Sequence, residues 1–231
     1  MSVRPTAGLL GGTFDPIHVG HLAAARAAHD AFRLDHVRFM PSARPPHRPD
    51  SPHASGYHRI EMVRLAVADA HGWIASDLEL SREGPSYTYD TLTTLGGEGL
   101  SPLQIFFIIG ADAFAEITAW HRYPDVLDRA HFVVVARPGT ALDLLRTHLP
   151  DLAARMIEAD RFAGADTPRI ILLHANTPDV SATQIRRRVA AGQSVKGLVP
   201  DAVSAYIDRN SLYRTEPAVA GEPGAPLPPG V

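Results

Sequence analysis

The 231-residue chain contains no cysteine. Disulfides, thiolate metal sites and cysteine nucleophiles are therefore excluded, and a reducing cytoplasm is the expected location. Positive charge is not in excess either. Twenty-two Lys and Arg against 25 Asp and Glu leave a net charge of −3. General nucleic-acid or membrane-surface binding thus has no electrostatic support. No apolar run is long enough to span a bilayer, and Met1 to Pro5 lead straight into a first strand without a leader-like segment. No internal repeat is present. The histidines are scattered and no H-E-x-x-H occurs, so no structural metal is indicated.

What is present is an ordinary globular composition, 45% hydrophobic, of a length that suits one α/β domain with at most a small appendage. Short apolar runs alternate with helical patterns. Strands are expected at 7–10, 36–40, 73–76 (short and buried), 105–109, 132–136 and, as the last, 170–173. Helices are expected at 22–32, 57–70, from Ser86 onward, 113–120, 142–160 (two helices or a bent one, because of Pro150) and 201–209. This alternation predicts a Rossmann-like, doubly wound, mostly parallel sheet with helices on both faces. Residues 1–214 form the domain. The segment 215–231 is rich in Pro and Gly, nearly free of large apolar residues, and expected to be disordered.

The chain is organised around Gly11-Gly12-Thr13-Phe14-Asp15-Pro16-Ile17-His18-Val19-Gly20-His21. It reads as strand, tight loop and helix start. Gly11 and Gly12 are expected to let the backbone turn and approach a ligand. His18 and His21 share one face of the first helical turn, beside its free N–H groups and positive dipole end. Together these make a site for a polyphosphate. The motif is neither G-x-x-x-x-G-K-[ST] nor G-x-G-x-x-G.

Four further stretches carry chemistry. Pro45-Pro46-His47-Arg48 is a stiff basic loop, which on composition alone also suits a solvated turn. Ser86-Tyr87-Thr88 places hydroxyls where they cap a helix. Asp112, just past the central strand, suits either ribose hydroxyls or an N-cap, and Trp120 suits packing or ring stacking. Ser181 with Gln184 fits a capping box, followed by Arg186 within about one and a half turns; alone, it also reads as a capped surface helix.

His18-x-Gly-His21 after a first strand resembles the signature of the nucleotidyltransferase superfamily that includes adenylyl- and cytidylyltransferases. The longer string from Gly11 to His21 is similar to its bacterial nicotinate-nucleotide adenylyltransferase branch. Pro45-Pro46-His47-Arg48 resembles the branch's Pro-Pro-His-Lys segment, which meets substrate phosphate. Ser86 to Leu92 resembles its nicotinate-recognition segment, and Gly110-x-Asp112 to Trp120 its ribose and ring contacts. Arg137-Pro138-Gly139 resembles a family turn. Val180 to Arg186 resembles Ile-Ser-Ser-Thr-x-Ile-Arg, with Ala182 in place of the second serine.

The resemblance implies transfer of AMP from ATP to nicotinate mononucleotide, with Mg²⁺ arriving on ATP and neither nucleic acid nor membrane as partner. His18, His21 and Arg186 would be catalytic. Gly11, Gly12, Thr13, Phe14, Asp112, Ser181, Thr183 and Arg186 would bind ATP. His47, Arg48, Ser86, Tyr87, Thr88 and Trp120 would bind the acceptor. A sister transferase with another phosphorylated acceptor, or a non-catalytic nucleotide-binding regulator, remains open at this point.

Overall fold

The computed structural model describes residues 5–45, 52–136 and 142–214. Seven parallel strands form one sheet: β1 (Ala7–Gly12), β2 (His36–Pro41), β3 (Trp73–Ala75), β4 (Ile105–Gly110), β5 (His131–Ala136), β6 (Met156–Glu158) and β7 (Ile170–His174). Their spatial order is β3-β2-β1-β4-β5-β7-β6. The helices are α1 (Val19–Phe32), α2 (Gly56–Val67), α3 (Thr88–Gly97), α4 (Ala111–Ala115), α5 (Leu142–His148), α6 (Ala182–Ala190) and α7 (Asp201–Arg209). No helix among the described residues is long and apolar enough to cross a membrane.

Both sheet faces are covered, and this explains the unbroken apolar runs of the central strands. Successive side chains alternate between faces. Phe106 and Ile108 join Leu10, Val133 and Ile171 in a core with α1, α2, α6 and α7. Phe107 and Ile109 join Leu9, Phe132 and Val134 in a second core with α3, α4 and α5. Gly8 keeps the first face close, since a Cβ there would stand 2.8 Å from Leu34 Cδ1.

The order of strands reverses between β1 and β4. From β1 the chain progresses outward through β2 and β3; from β4 it progresses the other way. The ends of β1 and β4 therefore open a crevice where their connections diverge, the usual ligand position in such sheets.

Local expectations were corrected in four places. The 73–76 strand is an edge rather than a buried strand: β3 pairs only with β2, and Ile74 is 44% exposed. Pro150 ends the 142–160 helical pattern at α5. A 3-10 segment, Pro150–Arg155, follows, and then β6, which pairs with β7 and was expected to be helical. α4 is short and begins after Gly110, so Asp112 lies in its first turn and is not its N-cap; a 3-10 turn, Ile117–Ala119, continues the segment. α3 begins after Tyr87 with no side-chain cap. Arg137-Pro138-Gly139 and the segment 215–231 lie outside the described residues.

Candidate active site

The β1–α1 loop leaves the sheet later than the glycines suggest. Gly11 and Gly12 are still strand residues paired with Met40 and Pro41. The sharp turn falls at Phe14, whose φ is +47°. Gly12 matters for proximity: a Cβ there would stand 3.1 Å from the Phe14 ring. That ring is buried in the core and packs edge-on against His21, with centroids 5.0 Å apart.

His18 is the residue that precedes α1, in extended backbone conformation, and is itself buried. Its backbone N–H donates to His21 Nδ1 at 3.2 Å. The two imidazoles stack at 3.6 Å. Because His21 Nδ1 accepts, the proton of a neutral His21 ring resides on Nε2, which is thereby fixed as a donor. Gly20 leaves room for this pair, since a Cβ there would meet His18 Nδ1 at 3.1 Å and the Pro178 carbonyl at 3.3 Å.

Two arginines hold the loop from outside. Arg59 is 2% exposed and donates from Nη1 to the carbonyls of Thr13 (2.8 Å) and Ser42 (2.7 Å) and from Nε to that of Ala54 (3.2 Å). Burial lowers its pKa, opposed by Asp15. Arg186 donates from Nη1 to the Asp15 carbonyl (2.8 Å) and from Nη2 to Thr183 Oγ1 (3.2 Å). In a trans peptide the C=O and N–H point in opposite directions. The Gly12 carbonyl accepts from Ser42 N–H on the β2 side. The N–H of Thr13 is thereby turned toward the β4 side, where the crevice lies.

That crevice holds a cavity of about 550 Å³. Gly11, Gly12, Thr13, His18 and His21 line it from the β1–α1 loop. Ser181 and Thr183 reach it from the start of α6, where Ser181 caps the helix by accepting from Gln184 N–H at 3.2 Å. Asp112 meets it past the end of β4, and Tyr87, Thr88 and Trp120 close the other end. Residues from four distant segments thus face one space of the size that takes a small-molecule ligand.

Three expected site residues do not line it. Phe14 has its ring in the core, so only its backbone remains for a ligand. Ser86 is buried and its Oγ accepts from the N–H groups of Ala43 (2.8 Å) and Arg44 (3.3 Å), binding loop to loop instead of capping α3. Arg186 is engaged with Asp15 and Thr183. His47 and Arg48 lie outside the described residues.

Other lining residues carried no local sequence signal. Glu79 is buried and accepts from Thr91 Oγ1 at 2.7 Å. Burial raises its carboxyl above the usual range, opposed by bonds from Thr91 and Ser86 and by the charge of Arg82. Ser42 lines the cavity with an Oγ that has no hydrogen-bond partner among the described residues. His121 stacks on Tyr87 at 4.2 Å. Trp120 packs edge-on against Phe107 at 6.3 Å while also facing the cavity, so packing and ligand contact coexist. Asp15 and Arg59 were legible only as parts of a motif and of a helix; their partners are far away in sequence.

Among the described residues no three His, Cys, Asp or Glu side chains are grouped as a metal-ligand set. The cavity's acidic side chains are the exposed Asp112 and the buried Glu79. This donor set is too sparse for a protein-built cation cage and is compatible with a cation held mainly by phosphate oxygens and water.

The cytidylyltransferase-like family model matches residues 9–188. A protein of Pseudomonas entomophila named "Probable nicotinate-nucleotide adenylyltransferase" is 44% identical over 208 residues, 90% of this chain and 94% of that protein. One of the same name from Pseudomonas syringae pv. tomato is 43% identical over 216 residues, 94% and 96% of the two chains. Among solved structures, Plasmodium falciparum nicotinic acid mononucleotide adenylyltransferase complexed with NaAD aligns with a TM-score of 0.68. It is 16% identical and covers 91% of this chain and 98% of that one, a likeness of fold.

Proposed function

This chain belongs to the nicotinate-nucleotide adenylyltransferase family, within the cytidylyltransferase-like group, and from that premise we infer how its residues do the work. The reaction transfers AMP from ATP to the phosphate of nicotinate mononucleotide, giving nicotinate adenine dinucleotide and pyrophosphate. A phosphate oxygen of the acceptor attacks the α-phosphorus, and the bond to the bridging oxygen of pyrophosphate breaks. The attacking oxygen is already ionised near neutral pH, so no general base is required. What remains is to bring two polyanions together and to stabilise charge at the α-phosphate.

The observation that carries the assignment of roles is one cavity that joins the histidine pair to the starts of α3 and α6. His21, with Nδ1 occupied by the His18 N–H, offers Nε2–H to the α-phosphate; His18 stacks behind it in the same turn. The N–H of Thr13 serves as a neutral donor to phosphate, with the backbone of Gly11, Gly12 and Phe14 shaping the loop around it. Ser181 and Thr183 take the β- and γ-phosphates, and Arg186, held on the Asp15 carbonyl through Nη1, turns its remaining N–H groups to the same phosphates. Asp112 accepts from ribose hydroxyls.

Tyr87, Thr88 and Trp120 receive the nicotinate ring, and Ser86 acts indirectly by fixing the loop that leads to His47 and Arg48, which meet the acceptor phosphate. Mg²⁺ comes with ATP and supplies neutralisation of phosphate charge. Residues 1–214 are the catalytic domain, 215–231 an appended tail, and the cytoplasm is the working compartment.

The test is pyrophosphate release and dinucleotide formation from ATP with nicotinate mononucleotide, nicotinamide mononucleotide and phosphopantetheine. Turnover greatest with nicotinate mononucleotide is expected. Greater turnover with another acceptor, or nucleotide binding without turnover, overturns the reading.

A further inference from the structure

Asp15 is 3% exposed, yet it is a carboxylate inside the protein. A buried carboxylate is costly unless its oxygens are fully used. Here they are. Oδ2 accepts from His53 N–H at 2.7 Å, and Oδ1 accepts from Ala54 N–H at 3.0 Å. Oδ1 also accepts from the Tyr213 hydroxyl at 2.8 Å, across 198 positions of sequence. The Asp15 carbonyl holds Arg186 at 2.8 Å, and the same guanidinium stands 4.0 Å from Oδ2. Four segments meet on this one residue: the β1–α1 loop, the approach to α2, the middle of α6 and the turn after α7.

Tyr213 is placed for this contact by its backbone. Its φ is +62°, a left-handed conformation that tyrosine adopts only when its surroundings hold it. The preceding turn is closed by Leu212 N–H to the Ile207 carbonyl at 3.0 Å, and both Leu212 and Tyr213 pack against the core on that face. Burial first, and the adjacent Asp15 second, push the phenol well above its usual range, so it stays a donor. The path from Tyr213 continues through Asp15 and Arg186 to Thr183, which lines the cavity.

We propose that Asp15 and Tyr213 are positioning residues for the nucleotide half of the site, the turn after α7 latching the loop that leads into His18 and His21 and that holds Arg186 of α6. This rests on the assignment of that half of the cavity to ATP. Neither side chain lines the cavity, so both act through the groups they hold. Among the described residues no hydrogen bond joins them to Tyr87 or Thr88 at the ring end of the acceptor half. Asp15 also holds the N–H groups of His53 and Ala54, past the loop of His47 and Arg48, so the two substrates are compared in Tyr213→Phe, which leaves those bonds in place.

The decisive variant is Tyr213→Phe in the full chain, because it removes one hydroxyl and keeps the ring. The matched control is Tyr206→Phe, which removes the hydroxyl bonded to His58 Nδ1 at 2.9 Å on α7 itself. Tyr213→Phe is expected to weaken ATP about ten-fold in both titration calorimetry and KM, the scale of one lost bond to a charged group. KM for nicotinate mononucleotide should stay within about two-fold, and Tyr206→Phe should change neither. Asp15→Asn should weaken ATP further, and adding Tyr213→Phe to it should cost nothing more, since one acts through the other.

Loss of melting temperature in Tyr213→Phe with unchanged ATP affinity would make the contact merely structural and overturn the proposal. So would equal effects on both substrates, or an equal effect of the control. If Asp15→Asn does not fold, the tyrosine pair decides alone. Turnover of the wild type on the acceptor panel tests the activity separately, and calorimetry with ATP reads the latch whichever acceptor is used.

Discussion

The imidazoles of His18 and His21 lie face to face, 3.6 Å between centroids and 22° from parallel, joined by the His18 N–H to His21 Nδ1 bond. The backbone N–H at position 18, not the His18 ring, therefore sets the tautomer of His21. His21→Ala should lower kcat by roughly 10²-fold, the scale for one lost transition-state donor. His18→Ala should lower it by a similar factor, with the His21 tautomer unchanged because the backbone N–H at position 18 remains. Steady-state kinetics with thermal melts check this; near-wild-type kcat in either variant removes the pair from the chemistry.

Arg186 is 16% exposed at its side chain and spends its donors on Asp15 and Thr183. Arg186→Ala should raise KM for ATP and lower kcat, with little change in KM for the acceptor, because its proposed partner is the departing pyrophosphate. It should also lower the melting temperature, since the Asp15 carbonyl loses a buried donor. Titration of each substrate at saturation of the other separates these outcomes; an effect confined to the acceptor would move Arg186 to the opposite half of the cavity.

Acid-over-amide selectivity is assigned to the start of α3, where a nicotinate carboxylate would meet free N–H groups and a positive dipole end. Thr88 lines the cavity at the first helical position, and Tyr87 before it is extended. Thr88→Pro thus deletes one N–H in a backbone that accepts proline. It should reduce kcat/KM for nicotinate mononucleotide more than for the amide. Trp120→Ala should weaken both alike, because a ring face does not read the substituent. Loss of preference in the tryptophan variant alone would refute the assignment.

His131 opens β5, 1% exposed, with Nδ1 accepting from Arg169 N–H at 3.0 Å and its ring among Phe106 and Phe162. Burial lowers its pKa to about 4. The folded state holds it neutral, while the unfolded state binds a proton below about 6.5. Its contribution is therefore present above pH 6.5 and lost as pH falls through that window toward 4, by about 3 kcal/mol in all. Chemical denaturation against pH should show a smaller decline between pH 6.5 and 4 in His131→Phe than in the wild type. Parallel curves would show that another group governs acid stability.

Period and composition in the sequence determined the parallel α/β architecture and the central place of the 105–109 run, and marked the loop and helix starts that line the cavity. These are legible because strand burial, glycine spacing and capping residues act over a few positions. Tertiary structure decided the rest. The edge strand β6 exists through its pairing with β7, which local periodicity does not contain. Ser86 became a bridge between loops because Ala43 and Arg44 arrive beside it. The importance of Asp15 depends on Tyr213, 198 positions away. Hydrogen bonds of buried polar groups are satisfied by whichever segments the fold brings near, and the identity of those segments is not a local property of the chain.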